Sequence, residues 1–211
     1  MKETTVSLLS GELLLEGILA TPQGAGPFPA VIVCHPHPLY GGSMDNNVVY
    51  SLCETLTQAS FISLKFNFRG VGESQGEFGQ GIGEQADVEA AISFVSKLKE
   101  VDENRIGLAG YSAGAGFALP VAADDARIKA LAAVSPPINM FNFDWLTGCP
   151  KPKFLISGGK DDLISPKQFL EFCGNLPEPK ECETIEGADH FWWGYEAHLA
   201  AKVTVFFVKA L

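Results

Sequence analysis

The sequence predicts an α/β domain: a mostly parallel sheet of about eight strands with helices on both faces and no cap domain. Three observations carry this. Short apolar runs of strand length alternate along the chain with longer segments of helical period, the rhythm of βαβ crossovers. Several of those runs are continuously apolar, as strands covered on both faces must be. The length of 211 residues suits one domain with a sizeable core, and no repeat, low-complexity tract or linker divides it, so residues 1–211 read as a single unit.

Residues 4–9 and 12–20 form an opening antiparallel pair across Ser10-Gly11, followed by a Gly/Pro turn at 23–29. Strands are then expected at 30–35 ("AVIVCH"), 61–68, 105–111, 130–135, 153–158 and 180–187, and helices at 45–59, 82–99, 113–124, 166–176 and 193–210. The fourth helix has a readable start, with Ser165 as N-cap, Pro166 where its missing N–H costs nothing, and Gln168 completing a capping box. Between 136 and 151 the chain is too short to build a further domain.

Composition narrows the function. A hydrophobic fraction of 46% and a charged fraction of 19% describe an ordinary folded protein. The net charge of −10, with no basic stretch, means that a phosphate backbone or an anionic membrane surface would repel the chain as a whole, so neither is an expected partner. Ser10, Gly11, Glu12 and Glu16 interrupt the N-terminal apolar residues before a signal peptide or membrane span can develop, which points to the cytoplasm. Five scattered cysteines without a CxxC pair read as reduced, mostly buried thiols.

The chemistry centres on "LAGYSAGAG" (108–116), where Gly110-Tyr111-Ser112-Ala113-Gly114 is a G-x-S-x-G sequence between a predicted strand and a predicted helix. A serine hydroxyl is a poor nucleophile until a base takes its proton, so it must stand on a sharp turn within reach of a histidine. In strand-turn-helix serine hydrolases the acid and the histidine follow in that order. The turn after "KFLISG" offers Asp161, favoured because Ile164 can pack behind it, or Asp162. His190 in "EGADHFWWG" follows the last predicted strand; His198 falls within the terminal helix, as a solvated or packed side chain.

"HPHPLYGGSMDNNVV", "FNFRGVGESQGEF", "GYSAG", "GGKDDLIS" and "GADHFWWG" occur in this order, and the sequence resembles the small single-domain serine hydrolases of the α/β-hydrolase superfamily. It is most similar to a bacterial group of compact, capless, dienelactone-hydrolase-like esterases. Known dienelactone hydrolases have a cysteine where Ser112 stands, and haloalkane dehalogenases a carboxylate. The resemblance implies fold and catalytic residues, Ser112, Asp161 and His190, more than substrate.

His35 and His37 could suggest a metal pair, but no Cys/His cluster accompanies them, and no metal or cofactor is expected. Pro36 and Pro38 push the residues before them into extended backbone and have no N–H to donate, so in this superfamily's oxyanion hole His37 is the best donor from this loop, with Leu39 or Tyr40 as fallback and Ala113 as the second donor. On this reading Pro36 or Pro38 substitutions lower turnover more than loss of the His35 side chain. The six glycines of 69–84 lack a phosphate-loop ending, and Arg69 is expected to tie turns together there. Phe141, Phe143, Trp145, Phe191, Trp192 and Trp193 either line a pocket or pack the core. Substrate contacts are expected from Tyr111, Leu39, Tyr40, Phe141 and Trp192. The expectation is a serine carboxylesterase acting on a small-molecule ester, as a monomer or homodimer. A thioesterase or peptidase with the same triad is the alternative, and a non-catalytic hydrolase-fold binding protein stands further off.

Overall fold

The computed structural model describes residues 1–211. Its strands are β1 (Lys2–Ser10), β2 (Leu13–Thr21), β3 (Phe28–Cys34), β4 (Ile62–Phe66), β5 (Val101–Tyr111), β6 (Ile128–Val134), β7 (Lys153–Gly158) and β8 (Lys180–Ile185). The helices are α1 (Asn47–Gln58), α2 (Ile82–Val95), α3 (Ala113–Asp124), α4 (Pro166–Asn175) and α5 (Glu196–Ala210). All eight strands join one sheet in the order β1-β2-β4-β3-β5-β6-β7-β8. The β1–β2 and β2–β4 pairs are antiparallel and every later pair is parallel.

The central strands alternate their apolar side chains between two cores. On β3, Ala30, Ile32 and Cys34 join the core that includes α2, α3 and α4, while Val31 and Val33 join the core that includes α1 and α5. Burial on both faces is why these strands are apolar at every position. The crossover after β3 leads to β4 on one side, and the next leads to β5 on the other. The strand order therefore reverses at β3, where a crevice opens beyond the carboxyl ends of β3 and β5.

Helix boundaries shift where the backbone turns left-handed or a cap intervenes. Helix α1 starts after Asn46, whose side chain accepts the Val48 N–H at 3.0 Å. Helix α5 begins at Glu196 rather than 193 because Trp192 and Gly194 have positive φ, 62° and 78°. Ser165 and Pro166 do open α4, but the Ser165 side chain makes no capping bond, so the expected box is absent. Its carbonyl, accepting the Phe169 N–H at 2.9 Å, starts the helix instead. The segment 136–151 holds a single short 3-10 turn, Asp144–Gly148, and no cap. No helix is long and apolar enough to cross a membrane.

Arg69, just past β4, meets Asp87 of α2: Nη2 and Nε donate to the carboxylate at 2.7 and 3.1 Å, and the backbone N–H adds a bond at 3.0 Å. The same guanidinium reaches Ser10 Oγ at 3.2 Å, tying β1, the glycine-rich loop and α2 together. Asp87 is fully buried, and its hydrogen bonds raise the Arg69 pKa.

Candidate active site

Strand β5 ends in a turn that only its glycines permit. A Cβ on Gly114 would collide with the carbonyl oxygens of His35 and Cys34, and one on Gly110 with the backbone of Ala115. Between them Ser112 sits at φ 51° and ψ −125°, a conformation rarely populated by a non-glycine residue. Its N–H donates to Val134 O at 2.8 Å, which fixes the turn to β6.

Two other turns bring the remaining residues to the same place. The Gly159 N–H donates to Ile185 O at 2.8 Å and the Lys160 N–H to Ala188 O at 2.9 Å, so the exits of β7 and β8 run against each other. Ser112 Oγ then lies 3.0 Å from His190 Nε2, and His190 Nδ1 lies 2.8 Å from Asp161 Oδ2. An ionised carboxylate only accepts, so the proton sits on Nδ1 and Nε2 is free to accept from the serine. The other Asp161 oxygen accepts the N–H groups of Leu163 and Ile164 at 3.0 and 2.8 Å. Asp161 is buried, whereas Asp162 is exposed and faces no imidazole.

The loop after β3 abuts this triangle, since Cys34 is in register with Gly110. The His37 N–H donates to no protein group, while its Nδ1 accepts the Leu39 N–H at 3.2 Å. Ala113 begins α3, where the first N–H groups of a helix lack intrahelical partners. Partial burial lowers the His37 pKa, opposed by the Glu84 charge. Around its ring stand Tyr40 at 4.8 Å, Phe78 at 5.0 Å and Phe117 at 5.9 Å, and Phe141 leans on Phe117 at 5.2 Å. Leu39 and Tyr40 are largely exposed, and Phe141 is half-buried.

Two expectations need correction. Trp192 lines no pocket: it is fully buried in the core beneath α5, its Nε1 donating to Ser135 Oγ at 3.1 Å. Tyr111 is also buried, and its hydroxyl donates to the His190 carbonyl at 2.8 Å, so it holds the histidine loop rather than a substrate. Burial also raises the Tyr111 pKa, keeping the phenol a donor. The His35 ring, to which the sequence assigns no catalytic part, is bonded on both nitrogens. Its Nδ1 lies 2.6 Å from Pro36 O and its Nε2 accepts the Phe68 N–H at 3.1 Å, which joins the exits of β3 and β4. Burial pushes its pKa down to about 4.

The sequence carries no signal for two supporting residues. Asp189 Oδ1 accepts the N–H groups of Phe191 and Trp192 at 3.0 and 2.8 Å, an Asx-type turn hidden inside "GADHFWWG". Ser135, at φ 42°, anchors the Trp192 indole. With Ser112 at 51° and Trp192 at 62°, three left-handed non-glycine residues sit on the turns around His190.

The model of the X-Pro dipeptidyl-peptidase (S15) family matches residues 12–186. The chain belongs to that family. This S15-family chain is 35% identical, over 172 residues, to an uncharacterised protein of Rickettsia prowazekii (strain Madrid E), covering 78% of the chain and 72% of the relative. Other curated relatives are longer, and the chain spans 42% of two of them. Among solved structures it is similar to an α/β serine hydrolase homologue from Coxiella burnetii, with TM-score 0.89, 33% identity and 97% of each chain covered. It is also similar to a lidless α/β serine hydrolase from Xanthomonas campestris, with TM-score 0.88 and 26% identity over 100% of this chain and 96% of the other. The chain thus has the α/β-hydrolase fold of the serine hydrolases, without a lid.

Proposed function

We propose that this chain hydrolyses small carboxylic esters through a Ser112–His190–Asp161 triad and an acyl-enzyme intermediate. What supports the reading is one observation: the continuous run of contacts from Ser112 Oγ to His190 to Asp161, 3.0 and 2.8 Å long, on a serine held at φ 51°. Ser112 Oγ attacks the ester carbonyl while His190 Nε2 takes its proton. The N–H groups of His37 and Ala113 stabilise the oxyanion; losing one such donor costs about 100- to 1,000-fold in rate. His190 then protonates the departing alkoxide and activates the water that releases the acid, while Asp161 keeps the imidazole in the Nδ1–H tautomer.

The fold is shared with an esterase of Pyrococcus furiosus, at TM-score 0.82 and 20% identity over 99% of this chain and 93% of that one, a likeness of fold alone. The family match favours a second reading, cleavage of X-Pro peptides by the same three residues. A leaving-group series of ester, thioester and X-Pro amide with a common acyl group separates the two. The first test is labelling by a fluorophosphonate together with hydrolysis of short p-nitrophenyl esters. Both should be lost in Ser112→Ala, and wild-type turnover by that variant overturns the assignment.

A further inference from the structure

Phe191 is an apolar ring that the fold holds in solvent. It is 54% exposed, yet its backbone is fixed at three points: its N–H donates to Asp189 Oδ1, its carbonyl accepts from Asn47 Nδ2 at 3.1 Å, and the next residue, Trp192, is buried and hydrogen-bonded to Ser135. The Asn47 amide is itself held by Glu196 of α5 at 3.0 Å. The exposed ring stands edge-to-face with the buried His190 imidazole, centroids 5.6 Å apart at 85°.

Reaction geometry says what belongs there. His190 Nε2 must pass its proton to the departing oxygen, so the leaving group lies on the imidazole side of Ser112. The acyl group extends away from the imidazole. The geometry points to Phe191 as the platform for the leaving alcohol, and to esters of aromatic or bulky apolar alcohols as the substrates this site prefers. This rests on the ester-hydrolase reading above. Aromatic pairs gain energy from edge-to-face or offset contact beyond area burial alone, which gives such a platform a preference for ring-bearing alcohols.

The two halves of the reaction separate this role from simple support of His190. Acylation involves the leaving alcohol; deacylation by water does not, because the alcohol has gone. The experiment compares benzyl acetate with ethyl acetate, whose alcohols have similar acidity, and follows the acetyl-enzyme by p-nitrophenyl acetate burst kinetics. In Phe191→Ala, kcat/KM for benzyl acetate should fall about 3- to 10-fold, the size of an aromatic contact. Ethyl acetate should change less than about 2-fold and the deacylation rate should not change, while Phe191→Tyr restores the benzyl preference. Equal losses on both esters, or slower deacylation, overturn the platform and leave the esterase reading standing. A wild-type protein that is labelled at Ser112 but hydrolyses neither ester overturns the esterase reading and the platform with it.

Discussion

His35 holds a structural role that its sequence context does not announce. The two prolines around it draw attention to the backbone, yet the imidazole uses both nitrogens to join two loops, at 2.6 and 3.1 Å. Removing it leaves the Phe68 N–H and Pro36 carbonyl unpaired beside a cavity, so His35→Ala should cost about 2–4 kcal/mol at pH 7. Its folded pKa, about 4, lies below the ordinary 6.5, so as pH falls the unfolded chain takes up the proton first. The neutral ring therefore favours the fold fully above pH 6.5, and that advantage erodes as pH falls toward 4. Urea unfolding of the wild type should lose about 2 kcal/mol between pH 7 and 5 from this group alone. His35→Ala should lack that share of the decline; an identical pH slope in both proteins would show that the ring is not buried in neutral form. Ser112, Asp161 and His190 are legible because motif, order and turn position are local properties of the sequence. The Tyr111, Ser135 and Asp189 contacts are not, because two of them join segments far apart in the chain and the third hides in an Asx turn.

At the scale of elements, the strands are legible because the inner ones are covered on both faces and the helices that cover them have length and period of their own. Boundaries drift where a single residue overrides the pattern, as Trp192 does ahead of α5. Helix α2 is held to the sheet edge by a device that spacing does not announce, a buried Asp87 met by one guanidinium. Arg69→Met leaves that carboxylate uncompensated and should lower stability by about 3–5 kcal/mol. Replacing both partners with apolar residues, Arg69→Met with Asp87→Leu, should recover most of the loss in denaturant titrations. If the double variant is no more stable than the single one, the hydrogen bonds to Ser10 and the Arg69 backbone matter more than the charge.

For the molecule as a whole, the reversal of strand order at β3 decides where a crevice opens, and the loops after β3, β5, β7 and β8 converge there. The antiparallel β1–β2 pair extends the sheet away from the site. Around His190, three backbone conformations of low population are each held by a neighbour. Trp192 and Ser135 are also bonded to each other across the exits of β8 and β6. Neither can relax while the other stays in place. The loop from 187 to 195 is therefore a latch, with its opening set by one shared free energy rather than by each bond separately. Hydrogen exchange should find the amides of Phe191, Trp192 and Tyr195 opening together. Ser135→Ala should speed all three alike and leave the amides of β3 and β5 at their original rates, whereas three unrelated rates would mean that the segment frays bond by bond.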